Sequence, residues 1–170
     1  MRTDFIGKDM MSHVLYALTA ENRLACMVAL ETGLRIDDVL SLRSDCLNKR
    51  SFTITEKKTH KRRCVRLSAA LRAELREIAG EPYIFAGRIN KESHRTRQAV
   101  HKDLKRAAKC FRLNINLAPH SLRKLYAVDL YQRTGDLERV RAALNHDDIA
   151  VTLLYAIADE LTARKKRGRE

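Results

Sequence analysis

Apolar residues near the start of the chain recur at the three- and four-residue spacing of an amphipathic helix. The pattern predicts helix over residues 8–32 with a break near Thr19, which stands where it can cap a second helix that begins at Ala20. Gly33 follows the last apolar positions and is placed as the C-cap of that helix. Residues 36–42 continue the helical spacing as a short further turn. This part of the chain is therefore predicted to be helical.

The pattern then changes to the alternation that is typical of strands. Residues 51–55 and 64–67 alternate and are rich in β-forming residues, so they predict two strands. The segment between them, residues 56–63, reads Glu-Lys-Lys-Thr-His-Lys-Arg-Arg and contains no glycine. We expect this cationic hairpin tip to be exposed and mobile, because its like charges repel one another unless an anion lies nearby.

Helical spacing returns after the hairpin and continues to the end of the chain. The predicted helices are 69–79, one capped by Thr96 and ending near residue 111, one beginning at Pro119, one after Gly135, and one capped by Asp148. No internal repeat or linker is evident, so we expect a single domain over residues 1–170 that ends in a basic tail, 159–170. The predicted fold class is mainly α, of the α+β type, with a small antiparallel sheet at one edge.

Composition adds a strong positive charge to this picture. Lysine and arginine number 34 against 21 acidic residues, which leaves a formal net charge of +13 and a pI near 10.0. Nucleic acid is the favoured partner of such a domain, because phosphate contacts by lysine and arginine release condensed counterions. An anionic membrane surface and a generically basic protein are the alternatives that net charge leaves open.

The apolar runs, the N-terminus and the cysteines indicate where in the cell the protein is located. Hydrophobic residues make up 45% of the chain, yet no apolar run approaches the roughly 18 residues of a membrane span. The N-terminus lacks the layout of a signal peptide, and the cysteines form no Cys-x-x-Cys pair and have no histidine at ligand spacing. We expect a soluble, cytoplasmic protein with free thiols, no structural zinc and no membrane association.

Four short strings along the chain carry the most specific information. They are Thr-Gly-Leu-Arg at 32–35, the lysine-rich hairpin at 58–67, Pro-His-Ser-Leu-Arg at 119–123, and Leu-Asn-His at 144–146 followed nine positions later by Tyr155. Each string alone is a weak pattern, but all four occur in one order in a basic domain of fitting length. Over residues 20–158 the chain resembles the tyrosine recombinase (phage integrase) family. The resemblance implies a helical catalytic core that breaks and rejoins DNA without a metal or another cofactor.

The resemblance also implies a role for each residue of the set. Cleaving a phosphodiester without metal requires a nucleophile, cations that stabilise the charge of the transition state, and a proton for the leaving oxygen. The implied roles are nucleophile for Tyr155, phosphate clamp for Arg35 and Arg123, general acid for Lys58, general base or phosphate ligand for His120, and hydrogen-bond donor to a non-bridging oxygen for His146. Asp38, three positions after Arg35, is expected to hold that guanidinium by an ion pair.

Several alternatives stay open at this point. Lys57 is adjacent to Lys58 and is the second candidate for the general acid, while isolated histidines often cap helices and Tyr155 lies among apolar residues that suit a core position. Lys124 and Asn145 depart from the residues that the family usually has at those places. A type IB topoisomerase-like enzyme and a DNA-binding regulator that does not cut are the rival functions.

The expected partner is double-stranded DNA in integration or recombination of a mobile element. The residues predicted to contact it are Lys57, Lys61 and Arg62 of the hairpin and Lys102, Lys105 and Arg106 on the helix that follows Thr96. By resemblance, the active form is a homo-tetramer on DNA and the free protein is a monomer. An N-terminal domain that closes around the duplex in the family is expected to be absent from these 170 residues.

Overall fold

A computed structural model describes residue 4 and residues 6–144 of the chain. Within that part the helices are α1 (Lys8–Tyr16), α2 (Ala20–Thr32), α3 (Ile36–Leu40), a 3₁₀ turn (Ser44–Asn48), α4 (Ala69–Ile78), α5 (Arg97–Cys110), α6 (Pro119–Thr134) and α7 (Leu137–Leu144). Strands β1 (Ser51–Thr55) and β2 (Arg62–Arg66) form one antiparallel hairpin. The predicted fold class, helical with a small antiparallel sheet, is confirmed.

Helix α2 lies at the centre of the core and ends as the sequence predicts. Its C-cap is Gly33, whose φ of 68° is in the left-handed region that favours glycine. A Cβ atom at Gly33 would lie 2.4 Å from the ring of Tyr126 on α6. The absence of a side chain therefore lets α6 approach the end of α2, and this close approach brings the residues of both helices into one site.

Helix α2 also begins at the predicted residue, but a different side chain from the predicted one caps it. Thr19 is the N-cap, and its side chain does not accept a hydrogen bond from the helix. The carboxylate of Asp103 on α5 instead accepts hydrogen bonds from the Thr19 backbone N–H, at 2.9 Å, and from Asn22 Nδ2, at 2.8 Å. A carboxylate at a helix N-terminus satisfies free N–H groups and opposes the positive end of the dipole, so Asp103 joins α5 to α2.

The hairpin is longer and its tip shorter than the sequence predicts. The register pairs Phe52 with Val65 and Thr55 with Arg62, so β2 begins two residues before the predicted start. Glu56 continues the ladder, since its N–H donates to the carbonyl of Lys61 at 3.0 Å. The turn has no glycine, and His60 takes its left-handed position with a φ of 55°. Glu56 is fully buried, so the expectation that the whole of residues 56–63 is an exposed tip was wrong.

The later helices begin and end close to their predicted positions. The Thr96 side chain caps α5, α6 begins at Pro119, and Gly135 ends α6 with a φ of 64°. All the cysteines are free thiols, as predicted. The helix predicted after Asp148, with Tyr155, and the basic tail 159–170 lie outside the described residues. Within the described residues, no helix is long and apolar enough to cross a membrane.

Candidate active site

Arg35 lies directly after the turn that ends α2, at the N-cap of α3. Its Nη1 donates to Oε2 of Glu56 at 2.7 Å, while its Nη2 is buried without a hydrogen-bond partner. The expected ion pair with Asp38 was wrong, because Asp38 faces the hairpin and accepts from the backbone N–H of Lys57 at 2.9 Å. Burial, reinforced by the neighbouring Glu56 carboxylate, raises the pKa of Asp38 above its usual range. Glu56 is therefore the carboxylate that orients Arg35.

Glu56 joins three basic or polar side chains at the end of β1. Besides Arg35, it accepts from Thr59 Oγ1 at 2.9 Å and lies 3.6 Å from Arg63 Nη1. Burial alone would raise the pKa of Glu56, but hydrogen bonds from Thr59 and Arg35 and the charge of Arg123 lower it overall. The carboxylate is consequently ionised at neutral pH.

Arg123 reaches the same cluster from α6. Only 3% of the residue is exposed. Its Nη1 donates to the carbonyl oxygen of Gly33 at 2.5 Å and its Nη2 donates to the carbonyl oxygen of Leu144, whereas its Nε is buried without a partner. Burial and the nearby charge of Arg35 lower the pKa of Arg123 to about 10, so the guanidinium stays charged at neutral pH. The two predicted arginines thus converge.

Unpaired buried polar atoms are concentrated at this point of the molecule. Within the described residues, six buried side-chain nitrogen or oxygen atoms have no hydrogen-bond partner, and five of them belong to this cluster. These five are Arg35 Nη2, Arg63 Nη1, Arg123 Nε, Asp38 Oδ2 and Glu56 Oε1. Arg63 Nη1 and Glu56 Oε1 face each other at 3.6 Å as an ion pair, so the arginine donors left without an acceptor are Arg35 Nη2 and Arg123 Nε. Buried donors are normally paired because an unpaired one is costly, so these two donors indicate a site that suits an anion.

His120 is the second residue of α6 and lies beside this cluster. The residue is exposed at the protein surface, yet the surrounding protein still removes some water from the imidazole. This desolvation, together with the positive charges of Lys124, Arg123 and Arg35, lowers the pKa of His120. A neutral imidazole at pH 7 is able to accept a proton, which suits the first of the two roles, general base or phosphate ligand, that the family resemblance implies.

The two candidate lysines of the hairpin have different surroundings. Lys57 Nζ lies 3.1 Å from Nε2 of His94, whose Nδ1 lies 2.9 Å from the carbonyl oxygen of Arg95. Because a carbonyl only accepts, Nδ1 carries the proton and Nε2 accepts from Lys57. Lys58 is exposed, and within the described residues its ammonium group has no hydrogen bond or ion pair. Lys57 is therefore tethered and Lys58 is free to meet a ligand.

The residues predicted to contact DNA divide into two groups. Lys61, Arg62, Lys102 and Lys105 are exposed on the hairpin and on α5. Arg106 is instead bound to the carboxylate of Asp103 and to the carbonyl of Ala17, so its guanidinium links α5 to the end of α1.

Two residues of the cluster were not predicted from the sequence, and two predicted residues lie outside the described part of the chain. Glu56 and Arg63 were not predicted as site residues, although the strand alternation that buries Phe52 and Val65 points both side chains inward. His146 and Tyr155 lie outside the described residues, which end two positions before His146.

Comparisons with known proteins place this arrangement in a family. The profile of the phage integrase family matches residues 7–161. The probable integrase/recombinase YoeC of Bacillus subtilis (strain 168) is 32% identical over 145 residues, which cover 79% of this chain and 76% of YoeC. The chain belongs to the phage integrase family.

Three further matches cover most of this integrase-family chain but only part of the matched proteins. Tyrosine recombinase XerC of Alcanivorax borkumensis is 29% identical over 167 residues, which cover 89% of this chain and 54% of XerC. The XerH site-specific recombinase in a post-cleavage complex with its difH substrate has a TM-score of 0.70 at 25% identity, over 88% of this chain and 48% of XerH. A lambda integrase dimer bound to a COC' core site, at 20% identity and a TM-score of 0.72, shows the likeness of fold over 90% of this chain and 48% of the integrase. The chain spans about half the length of each of these three proteins.

Proposed function

We propose that this integrase-family chain is the catalytic domain of a site-specific DNA recombinase that cleaves and rejoins strands through a 3′-phosphotyrosyl intermediate. The observation that carries the proposal is the convergence of Arg35 and Arg123, each with a buried donor that has no acceptor. The relatives support the same activity, since XerC is named a tyrosine recombinase and XerH was solved with its substrate after cleavage.

The cleavage step transfers the phosphoryl group from the 5′ oxygen of DNA to Tyr155 and moves two protons. The phenolic oxygen of Tyr155 attacks the scissile phosphorus and the bond from phosphorus to the 5′ oxygen breaks. His120 takes the phenol proton and Lys58 gives a proton to the leaving 5′ oxygen. The ester keeps the energy of the original bond, so a 5′ hydroxyl of another strand is able to reverse the step and complete an exchange.

The arginines stabilise the charge that develops on the phosphate. Forked guanidinium donors match two non-bridging oxygens, and they act strongly where protein has displaced water. Arg35 Nη2 and Arg123 Nε are the buried atoms without partners in the cluster that are suited to this task. His146 donates a further hydrogen bond to a non-bridging oxygen. No step requires a metal ion, because these cations supply the positive charge.

Double-stranded DNA is held by the exposed basic residues on the same chain. Lys61 and Arg62 contact phosphates from the hairpin, and Lys102 and Lys105 do so from α5, where no acidic partner occupies them within the described residues. Lys57 and Arg106 act less directly, because both already bind protein groups. On paired sites the protein assembles as a homo-tetramer.

Covalent trapping tests this function. Nicked duplex fragments from the DNA that flanks the gene are incubated with protein in EDTA and separated on a denaturing gel. We expect a DNA-linked protein band that is lost in Tyr155→Phe and kept in Tyr16→Phe, because Tyr16 is 80% exposed on α1, a helix that carries no residue of the proposed site. DNA binding without any linked band would favour a regulator that does not cut.

A further inference from the structure

Glu56 is a buried acid in a position where the strand pattern calls for an apolar residue. It follows Phe52 and Ile54 on the inward face of β1, and none of its side chain is exposed. Burying an ionised carboxylate is costly unless it is paired and hydrogen-bonded. The contacts of Glu56 should therefore explain why the chain has an acid at this position.

Those contacts connect two functional parts of the site through one oxygen atom. Oε2 accepts from Arg35 Nη1 at 2.7 Å and from Thr59 Oγ1 at 2.9 Å. Thr59 directly follows Lys58 in the hairpin turn. The second oxygen, Oε1, lies 3.6 Å from Arg63 Nη1 on the returning strand. The carboxylate thereby fixes the lysine turn relative to the arginine that faces the phosphate.

The orientation of Arg35 follows from the same contact. One of its terminal nitrogens is engaged by Glu56, and the other, Nη2, is left buried without a partner. A guanidinium is planar and rigid, so holding one nitrogen fixes the direction in which the other donates. Without Glu56, the positive charges of Arg35, Arg63 and Arg123 would repel one another with no carboxylate between them.

We propose that Glu56 is a positioning residue of the cleavage step. It fixes the position of Arg35 relative to the turn that carries Lys58, because one of its carboxylate oxygens binds both Arg35 and Thr59. The proposal rests on the function proposed above. Glu56 does not touch the reacting atoms, and it acts through Arg35 and, by way of Thr59, through Lys58.

Three substitutions separate the two arms of this contact. Glu56→Ala removes both arms, Glu56→Gln keeps the shape and an acceptor oxygen without the charge, and Thr59→Val removes only the hydroxyl arm. Glu74→Ala is the control for loss of a glutamate–arginine pair outside the site, because it deletes the more exposed pair with Arg23, at 3.2 Å, between α2 and α4. All four variants are compared with wild type in single-turnover cleavage of the nicked duplex identified by trapping.

A second substrate shows which group each variant affects. In it, sulfur replaces the 5′ oxygen at the scissile bond, so the leaving thiolate needs no proton from a general acid. We expect Thr59→Val to slow cleavage of the oxygen substrate and to be restored to wild-type rate by sulfur. Glu56→Ala should lower the cleavage rate on the order of tenfold to a hundredfold with the oxygen substrate. The sulfur substrate should restore only part of that rate, since Arg35 stays misplaced. Glu56→Gln should lie between Glu56→Ala and wild type.

Three results would contradict the proposal in whole or in part. If Glu56→Ala and Glu56→Gln cleave both substrates at the rate of Glu74→Ala, Glu56 does not position the site, whereas the recombinase function stands. A wild-type protein that never becomes linked to DNA contradicts the proposed function and this inference together. If Glu56→Ala fails to fold, Glu56→Gln and Thr59→Val still test the proposal. Equal decreases in cleavage rate with the oxygen and the sulfur substrate in Thr59→Val would contradict the link to Lys58.

Discussion

Arg123 donates a hydrogen bond to the backbone carbonyl oxygen of Gly33, 2.5 Å away, and so ties one arginine of the site to the turn that presents the other. Arg35 lies two residues after Gly33, and α6 carries both Arg123 and the Tyr126 ring that packs on the glycine. The distance between the two arginines therefore depends on the close approach of α6 to the end of α2.

Gly33→Ala should destabilise the protein more than the same change at Gly135. Both glycines have a left-handed φ, 68° and 64°, and each alanine carries that backbone strain of about 1 kcal/mol. Only at Gly33 does the new Cβ collide with another side chain, the Tyr126 ring at 2.4 Å, whereas Gly135 has nothing within 4 Å. We expect an additional loss of roughly 1–3 kcal/mol in the free energy of unfolding, measured by urea titration. Equal losses at both positions would contradict the close approach.

Alanine substitutions of Lys58 and Lys57 should have different effects on the cleavage rate. Lys58→Ala removes the general acid, and we expect the rate to fall on the order of a hundredfold or more and to recover with the 5′-sulfur substrate. Lys57→Ala breaks the contact with His94, so the decrease in cleavage rate should be smaller and should remain with the 5′-sulfur substrate. The opposite pattern would assign the general acid to Lys57.

Asp103→Ala should lower stability on the order of 2 kcal/mol, because it removes charge-assisted hydrogen bonds to Thr19, Asn22 and Arg106. Asp136→Ala is a fitting comparison, since the side-chain contacts of Asp136 within the described residues stay inside its own helix, α7. It accepts from the N–H groups of Glu138 and Arg139 and forms an exposed ion pair with the Arg139 side chain, so its loss should cost about 1 kcal/mol. Chemical denaturation measures both values. A loss at Asp103 no larger than at Asp136 would show that the link between α5 and α2 adds nothing.

The Asp103 contribution should also depend on pH in a defined direction. Burial raises its pKa, but the hydrogen bonds from Asn22, Thr19 and Arg106 outweigh burial and lower the pKa overall. The folded protein then holds its proton less tightly than the unfolded chain, whose aspartate pKa is about 3.9. The stabilisation is present above that value and is lost as pH falls through the folded pKa. Asp103→Asn should flatten this part of the stability curve.

His120 should be neutral in the free protein at pH 7 and should become easier to protonate when phosphate binds. Burial and the charges of Lys124, Arg123 and Arg35 lower its pKa, and a bound phosphate offsets those charges. Proton NMR titration should find the pKa below about 6.5 without DNA and higher with DNA. Because the unfolded chain binds this proton more readily, the His120 contribution to stability is present above the unfolded pKa and decreases as pH falls below it. An unchanged pKa on adding DNA would place His120 away from the phosphate.

The sequence predicts the elements better than it predicts the contacts between them. Thr96, Pro119 and Gly33 mark helix ends through local backbone rules, and the structure confirms all three. Asp38 was the wrong partner for Arg35, because a helical spacing of three residues does not show that the hairpin folds over and supplies Glu56.

The inward orientation of Glu56 could have been predicted from the strand alternation, since Glu56 follows Phe52 and Ile54 at every second position. The cationic residues around it led to the expectation of an exposed tip instead. The bond from Arg123 to Gly33 joins residues 90 positions apart, and no local pattern encodes such a contact.

The identity and polarity of the DNA–protein bond test the central claim most directly. The complex formed in EDTA is digested with protease and nuclease, and the modified peptide is identified by mass spectrometry. We predict a nucleotide joined through its 3′ phosphate to the peptide that contains Tyr155. Attachment at another residue, attachment through a 5′ phosphate, or a complex that forms only with a divalent metal would contradict the account.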